Sequence, residues 1–282
     1  MNLKKRIILI VFLIIFIVFI FIGTDKLENH LKNNKTNIYK DLDKTIGYKS
    51  YNKNRYIIYY NKNKNIPLED IVTYINIGLD KKFYEDYKYS NIRDKNLILV
   101  NKFNRLNKNY IPNDLEEINS INFINNKSRN KLKKEAKIAF EKLSNDSIKS
   151  GYPVYGQSAY RSYFVQNILF NNEVNTYGYK TALKQVAKPG FSEHQTGLAI
   201  DVSSTKNGNM LEFKNTPSYR WMKYNSYKYG FILRYPKEKE KIHGYIYEPW
   251  HYRYVGTKVS KDLKFKYKNL TYDEYYYKVL KK

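Results

Sequence analysis

The stretch Phe191–Val202, FSEHQTGLAIDV, is the part of this chain from which its organisation can be worked out. In its last five residues, Leu198–Val202, a branched apolar side chain occupies every second position. A strand there would turn these three side chains to one face and Asp201 to the other. Gly197 permits a tight turn that carries His194 beside Asp201. An imidazole and a carboxylate that converge at the start of a strand suit a zinc ion, which binds N and O ligands. Taken alone, the two residues still favour a turn histidine and a capping aspartate, because short motifs often match by chance.

Length and charge set broad limits on the class of protein. The 282 residues can hold one sizeable domain and something smaller, and a hydrophobic fraction of 42% is enough for a core. Lysine and arginine total 51 against 26 acidic residues, which gives a formal charge of +25. This balance favours anionic partners such as nucleic acid, phospholipid headgroups or a cell-wall polymer. Because the charge is spread along the whole chain, most of it is expected to be solvated surface.

The chain has no cysteine and only four histidines. The absence of cysteine excludes a disulfide framework, a thiolate zinc site and a cysteine nucleophile. A metal site must therefore use histidine, aspartate and glutamate side chains, and the small number of histidines makes each one informative.

The N-terminus predicts a membrane anchor. Three basic residues at positions 4–6 precede the uncharged apolar run Ile7–Ile22. With Gly23 and Thr24 the run is long enough for a short transmembrane helix, and the basic flank predicts a cytoplasmic N-terminus with the rest of the chain outside. A cleaved signal peptide has the same layout, but no cleavage site with small residues follows. We therefore expect residues 1–24 to be a cytoplasmic stub and an uncleaved, single-pass signal anchor.

Two segments separate the anchor from the motifs. Residues 25–64 are polar and are interpreted as a tether, apart from a short strand predicted at Arg55–Tyr60, RYIIYY. Residues 65–127 are interpreted as an N-terminal subdomain, with a helix from Pro67 to Gly78 and a strand at Leu97–Asn101.

Residues 128–282 are interpreted as the catalytic domain. Apolar periodicity and capping residues predict helices over 128–150, 162–178, 179–187 and 217–229, and strands over 153–160, 231–235 and 244–254. The lysine-rich segment after residue 260 suggests no chemistry.

A second motif lies in the last predicted strand. It holds Glu248 and His251, which regular strand parity would send to opposite faces. Pro249 cannot donate a ladder hydrogen bond and should interrupt the strand, so that both side chains can face one pocket. Taken individually, Glu248 is equally an ion-pair partner for a lysine, and His251 a packed core histidine beside Trp250.

Together the two motifs supply a catalytic set. His194, Asp201 and His251 make a three-ligand set for one zinc ion, with a fourth position left for water, as in catalytic zinc sites. Glu248 remains as a carboxylate that can take a proton from that water. Arg161, at a predicted strand-to-helix corner, is placed to hold a substrate carboxylate, and the alternative for it is a surface salt bridge.

These residues resemble the motifs of the VanY-type zinc D-alanyl-D-alanine carboxypeptidases. Ser192–Asp201 matches their SxHxxGxAxD pattern, Glu248–His251 matches their second motif, and Tyr160–Ser162 with Gln166 matches their substrate-side motif. The resemblance covers about residues 95–260, and one small difference is Ala159, where relatives often carry glycine. It implies an α+β fold in which helices pack around a small antiparallel sheet that carries the zinc site.

The resemblance also implies roles for individual residues. It implies zinc binding by His194, Asp201 and His251, with Glu248 as the catalytic base. It implies that the terminal carboxylate of a peptide is handled by Arg161 and its neighbours, namely Tyr160, Ser162, Gln166 and Ser192.

We therefore expect a membrane-anchored, extracellular bacterial zinc carboxypeptidase that removes the terminal D-alanine from peptidoglycan stem peptides. Anionic wall polymers are expected as further partners, nucleic acid is not, and the protein is expected to be a monomer. The alternative is a catalytically silent wall-binding domain of the same fold, but such a module has no need of Glu248. The sequence leaves open DD-carboxypeptidase, LD-carboxypeptidase and endopeptidase cleavage, because the walls of the pocket set that choice.

Overall fold

A computed structural model describes residues 23–24, 41–124, 129–205 and 208–281 of the chain. The described residues fall into two compact units, one that ends at Val72 and one that begins at Thr73. The boundaries predicted after residues 24, 64 and 127 stay predictions. The predicted anchor, Ile7–Ile22, lies outside the described residues, and no helix within the described ranges is long and apolar enough to cross a membrane.

One prediction for the first unit, the strand at Arg55–Tyr60, is wrong. The RYIIYY segment is not a strand but part of a helix, Lys53–Lys62. Its buried side chain is Tyr56, which packs on the ring of Tyr48 at 5.6 Å between centroids and accepts a hydrogen bond from the backbone of Lys49. The strand preference of isoleucine and tyrosine is a weak signal that depends on packing, and here packing outweighs it.

The helices and strands of the described residues are short. The helices are α1 (Lys53–Lys62), α2 (Leu68–Ile77), α3 (Lys134–Lys149), α4 (Tyr163–Tyr177), α5 (Tyr179–Gln185), α6 (Pro217–Asn225), α7 (Glu240–His243), α8 (Gly256–Lys261) and α9 (Tyr272–Tyr275). The strands are β1 (Lys88–Tyr89), β2 (Asn104–Arg105), β3 (Leu115–Glu117), β4 (Lys131–Lys133), β5 (Tyr155–Ser158), β6 (Ala199–Ser203), β7 (Phe231–Leu233) and β8 (His251–Tyr254).

Most predicted helices are present, at slightly different lengths. Helix α4 begins where predicted, because the Ser162 side chain accepts a hydrogen bond from the Val165 backbone, and Gly178 ends it. Helix α6 likewise begins after Thr216, whose side chain caps the Tyr219 backbone N–H. The strand predicted at Leu97–Asn101 is wrong: Leu97 ends a 3₁₀ helix, and the following residues have no regular structure apart from an isolated bridge between Asn101 and Asn104.

The predicted small antiparallel sheet is confirmed and forms the centre of the second unit. Its four strands lie in the order β5-β6-β8-β7, and every neighbouring pair is antiparallel. On β6, Asp201 lies directly opposite His251 of β8 and beside Ser158 of β5. Directly opposite residues of antiparallel strands have their side chains on the same face, so the register brings two of the predicted ligands together.

The apolar core lies on the other face of this sheet. Leu198, Ile200 and Val202 belong to one buried cluster with Phe140 and Leu143 of α3. The alternation predicted for this stretch is therefore confirmed, and it turns Asp201 away from the core. Because the strand is buried on both faces, its polar face must find partners inside the protein.

A second buried cluster packs the C-terminal segment against the rest of this unit. Its members include Tyr272 and Tyr276, together with Leu99, Phe103 and Ile232. The hydroxyl of Tyr272 donates to the backbone oxygen of residue 97. The segment after residue 260 is thus part of the folded unit and not a solvated tail.

Candidate active site

The three predicted metal ligands converge. One ligand atom from each of His194, Asp201 and His251 lies within 4.8 Å of the other two, and all three residues are buried. Nε2 of His194 is 3.3 Å from Oδ2 of Asp201, and Nδ1 of His251 is 3.0 Å from Oδ1. The two imidazole rings meet edge to face, 4.9 Å apart.

His194 is held by the turn that precedes β6. It lies in a 3₁₀ helix, Glu193–Thr196, which ends at Gly197 in the left-handed conformation, with φ of 68°. Nδ1–H of His194 donates to the carbonyl of Ala159 at 2.6 Å. Nε2 must then carry the lone pair, and this buried atom has no hydrogen-bond partner among the described residues.

His251 is fixed from both sides of its ring. Nδ1 faces Asp201, and Nε2 lies 3.6 Å from Oε2 of Glu193. The ring of Tyr235 stacks against the imidazole at 4.9 Å between centroids. A carboxylate behind a histidine is the usual partner that orients a metal-binding imidazole.

Glu193 is a fully buried anion with two buried cationic partners. Its Oε1 accepts hydrogen bonds from Nε of Arg234 and from Nη1 of Arg253, both at 2.8 Å. Arg234 also forms a two-pronged ion pair with Asp273 of α9. Burial opposes ionisation of Glu193, but the two arginines outweigh it and hold the pKa of this carboxyl well below its usual range.

Glu248 occupies the turn immediately before β8. Its backbone oxygen accepts from the His251 N–H, and the strand starts only at His251, so the strand predicted over 244–254 is wrong before that residue and the interruption expected at Pro249 is present. The carboxylate Oε2 is 3.8 Å from Nδ1 of His251. Burial raises the pKa of Glu248 to about 8, against the opposing influence of His251. A carboxyl group with such a pKa is suited to exchange protons near neutrality.

Arg161 reaches the same place from the end of β5. Its backbone N–H donates to the carbonyl of His194, and its Nη1 lies 3.7 Å from Oδ2 of Asp201 and 3.4 Å from Oγ of Ser158. Its buried Nε–H has no hydrogen-bond partner among the described residues. The guanidinium group therefore keeps donor capacity for a further anion.

These residues border one cavity of about 560 Å³. Of the predicted site residues, it is lined by Arg161, Ser192, His194, Asp201, Glu248 and His251. The other three predicted residues do not line it: Ser162 caps α4, Gln166 donates to the carbonyl of Ala187, and Tyr160 bonds through its backbone to residue 131. A direct substrate contact by these three stays a prediction.

The donor set fits a zinc ion. Two imidazole nitrogens and one carboxylate oxygen are ligands that zinc prefers, and three protein ligands leave a position open. The lone pair of His194 Nε2 points to no protein donor, and burial together with Arg161 lowers the pKa of His194 to about 4. His194 is therefore neutral and ready to bind a cation.

Comparison with known proteins agrees with this geometry. Residues 129–257 match the family model described as VanY, D-alanyl-D-alanine carboxypeptidase. The YodJ protein of Bacillus subtilis strain 168, named as a carboxypeptidase, is 46% identical over 189 residues, which are 66% of this chain and 68% of that protein. The chain belongs to the VanY family.

Two solved structures extend the comparison. The LdcB LD-carboxypeptidase, whose structure is described as revealing peptidoglycan recognition, has 42% identity and a TM-score of 0.62, covering 71% of this chain and 93% of that one. A vancomycin-resistance D,D-pentapeptidase VanY in complex with Zn(II) has 31% identity and a TM-score of 0.54, covering 64% and 98%. The fold is thus the mixed helix-and-sheet fold of VanY, and the chain is a carboxypeptidase of that family.

In this VanY-family chain, sequence reasoning missed the residues behind the ligands. Glu193 stands inside the quoted motif, yet its role is visible only once Arg234 and Arg253 are known to be buried beside it. A signal was present, since Glu193 is a charged residue between two predicted site residues. Tyr235 and Tyr245, which line the cavity, carried no signal in a chain with 31 tyrosines.

Proposed function

We propose that the protein is a membrane-anchored, outward-facing zinc carboxypeptidase that removes the terminal D-alanine from peptidoglycan stem peptides. The observation that carries the proposal is the convergence of His194, Asp201 and His251 within 4.8 Å, with the carboxylate of Glu248 3.8 Å from His251. Family membership and the peptidoglycan substrate described for LdcB support the substrate class.

Arg161 is proposed to hold the terminal carboxylate of the peptide. Its Nε–H has no partner among the described residues, and Nε and Nη2 share one edge of the planar guanidinium, an arrangement of two donors that matches a carboxylate. Ser192 lines the same cavity and is proposed to add a hydroxyl donor. A carboxylate fixed here would place the last peptide bond between Arg161 and the ligand set.

Glu248 is proposed to move the proton. A zinc ion held by His194, Asp201 and His251 would lower the pKa of water and polarise the peptide carbonyl. Glu248, in its carboxylate form, would accept the proton of the attacking water and return it to the leaving amine of D-alanine. The intact carboxylate at this position argues for an enzyme and against a silent binding domain.

The location outside the cell rests on sequence alone. The basic residues 4–6 and the apolar run Ile7–Ile22 support a single-pass anchor with the enzyme outside. An anchor of this kind would keep the cavity close to newly made wall, and a formal charge of +25 would favour association with anionic wall polymers. A monomer is sufficient for this chemistry, because the ligand set, Glu248 and Arg161 all come from one chain.

A direct assay tests the function. The purified chain would be incubated with muropeptides that carry pentapeptide or tetrapeptide stems, with zinc or with a chelator, and released alanine would be measured. Release in zinc that stops with the chelator supports the proposal, and the stem that is consumed identifies DD- or LD-cleavage. Binding of wall fragments with no alanine released in any condition would instead establish the silent binding domain.

A further inference from the structure

Lys102 is a buried lysine with no acidic partner. The residue is only 2% exposed, and among the residues that the structure describes it forms no ion pair. Lysine is almost never fully buried unless another charge pairs with it. Burial lowers the pKa of Lys102 to about 7, against the opposing charge of Glu248, and either form of the amine has hydrogens for two acceptors. A polar group buried at such a free-energy cost is expected to hold other parts of the fold in place.

The amine of Lys102 joins two distant segments of the chain. Its Nζ donates to the carbonyl of Leu183 in α5 at 2.6 Å, and to the carbonyl of Gly244, directly after α7, at 2.5 Å. A backbone hydrogen bond of 2.9 Å from the N–H of Ile246 to the carbonyl of Lys184 continues the junction. Lys102 itself lies just before β2, so three parts of the fold meet at one nitrogen.

Both of these segments border the cavity that holds the ligand set. Residues 185–187 follow Leu183, residues 245 and 246 follow Gly244, and all five line the cavity. We call these five residues the joined wall. Lys102 does not line the cavity. The joined wall is therefore held by a side chain that lies behind it and not on the surface that a substrate would meet.

A series of ring contacts leads from Lys102 to a metal ligand. Nζ of Lys102 lies 4.1 Å from the centroid of the Tyr245 ring. The Tyr245 ring packs on Tyr235 at 4.8 Å between centroids, and Tyr235 packs on His251 at 4.9 Å. The hydroxyl of Tyr245 is fixed by the hydroxyl of Tyr84, 3.1 Å away. Because a cation attracts the face of an aromatic ring, the position of Tyr245 in the joined wall depends on Lys102.

We propose that Lys102 is a positioning residue that holds the joined wall of the substrate cavity in place. The inference rests on the proposed carboxypeptidase function and adds to it a residue that neither binds zinc nor touches the substrate. Glu248 has an anchor of its own, since its backbone N–H donates to the carbonyl of Tyr235 at 3.2 Å. Loss of the Lys102 amine should therefore weaken peptide binding and leave the chemical step nearly unchanged.

Lys102→Met tests the proposal, because it keeps the stem of the side chain and removes the nitrogen. The zinc-loaded full chain would be assayed for KM and kcat on a pentapeptide stem, and the metal-free full chain for the Kd of the same peptide by calorimetry. We expect KM and Kd to rise about tenfold and kcat to stay within about threefold, as for an interaction that supports ground state and transition state alike. Zinc content should match the wild type.

Ser260→Ala is the matched control for lost stability. Ser260 is buried, and its hydroxyl donates to the carbonyl of Tyr227 at 2.7 Å, which joins two segments that do not line the cavity. This variant should lose stability and keep the KM and Kd of the wild type.

A second pair of variants disturbs the junction while Lys102 stays in place. Gly244 and Gly256 both have φ of 79°, so alanine carries the same backbone strain at either position. A Cβ at Gly244 would lie 2.9 Å from Cδ of Lys102, whereas a Cβ at Gly256 meets nothing within 4 Å. Gly244→Ala should therefore raise KM and Kd, and Gly256→Ala should not. If Lys102→Met does not fold, this pair decides the question alone.

The outcomes separate the two proposals. Unchanged KM and Kd in folded Lys102→Met overturn the role of Lys102, and so does an equal rise in Ser260→Ala. A wild type that binds the stem but releases no alanine refutes the carboxypeptidase proposal alone, because the Kd values still report the state of the joined wall.

Discussion

The Oε2 atom of Glu193 lies 3.6 Å from Nε2 of His251, on the side of the ring opposite to Asp201. When Nδ1 serves a metal, the proton of the neutral imidazole resides on Nε2 and needs an acceptor. The Glu193 carboxylate faces that nitrogen as an ion-pair partner just beyond hydrogen-bonding distance, and it is itself fixed by Arg234 and Arg253. The orientation of His251 is therefore set by a buried charge network that reaches as far as Asp273 in α9.

The first prediction concerns Glu193→Gln. The variant loses the carboxylate behind His251, so zinc affinity should fall by about 10- to 100-fold, the usual effect of removing a partner behind a metal ligand. It also leaves two buried arginines under-compensated, which should lower the free energy of unfolding by about 3–5 kcal/mol. Competition with a chromogenic chelator measures the affinity, at a temperature where both proteins are folded.

Asp273→Asn is the matched control for that experiment. Asp273 belongs to the same network through Arg234 and Asn101, and does not contact His251. The control should lose comparable stability but keep zinc affinity within about threefold, since no partner of His251 is removed. Equal losses of zinc affinity in both variants would show that Glu193 acts only through general stability.

The second prediction concerns Glu248→Gln. The amide preserves the size of the side chain and leaves the three ligands in place, so zinc content should match the wild type. Turnover should fall by about 10²- to 10⁴-fold, because a general base or acid contributes that much. The rate of alanine release and the metal content of the same preparation check this. A variant that keeps full turnover would remove Glu248 from the proposed mechanism.

The third prediction concerns the terminal carboxylate. Arg161→Lys keeps the charge but loses the planar pair of donors, so kcat/KM should fall by about 10- to 100-fold, mainly through KM. A peptide with an amidated C-terminus should be a poor substrate for the wild type. The same amidation should lower the kcat/KM of the variant by a much smaller factor. Arg220→Lys, at an exposed position of α6, is the control and should leave both values unchanged.

The convergence of His194, Asp201 and His251 could be predicted from sequence for specific reasons. Histidine is scarce in this chain, so the spacing of His194 and His251 from their acidic neighbours was informative. Alternation predicted the face of Asp201 correctly. The pairing that places Asp201 opposite His251 joins strands about fifty residues apart, and local periodicity carries no information about such a register.

Other features were out of reach because they depend on tertiary packing. Glu193 is buried beside two arginines, Arg234 just after β7 and Arg253 in β8, and both pair with it. Asp273 in turn pairs with Arg234. A lysine-rich segment after residue 260 gave no reason to expect a buried aspartate there. For RYIIYY, strand propensity gave the wrong prediction because the packing of Tyr56 decides its conformation.

The fourth prediction is a pH dependence of stability from His243. This buried ring accepts from the Tyr245 N–H through Nδ1, and Nε2 lies 3.3 Å from the Pro236 carbonyl, to which its N–H donates. A second proton on the ring would reside on Nδ1, and this new N–H would point at the N–H of Tyr245. Burial, aided by the charge of Arg234, lowers the pKa of His243 from 6.5 to about 4.

The sign follows from which state binds the extra proton. Between these two pKa values the unfolded chain is protonated and the folded one is not, so stability falls as pH falls from 7 towards 4. Because of this group, the free energy of unfolding should fall by about 2 kcal/mol between pH 7 and pH 5. His243→Asn keeps an acceptor for Tyr245 and removes the titration, so denaturant unfolding should show a flatter pH profile. Identical pH slopes in both proteins would contradict the assignment.

The fifth prediction concerns the turn that positions His194. Gly197 has φ of 68°, and a Cβ there would lie 2.7 Å from Cδ2 of Leu115 and 3.3 Å from the backbone nitrogen of Lys133. Gly197→Ala should therefore lower the free energy of unfolding by about 2–4 kcal/mol, from the left-handed backbone and the crowding together. The displaced turn should also weaken zinc binding, because it carries the ligand.

Gly151→Ala separates the two causes. Gly151 has φ of 80°, but a Cβ there meets nothing within 4 Å. This variant should lose only the backbone contribution, about 1–2 kcal/mol, and should bind zinc like the wild type. Urea unfolding of both variants, with chelator competition for zinc, gives the comparison. Both substitutions carry the same backbone strain. A difference in zinc affinity between them therefore reports the displacement of His194 by crowding at Leu115 and Lys133. Equal affinities would mean that the position of His194 tolerates this crowding.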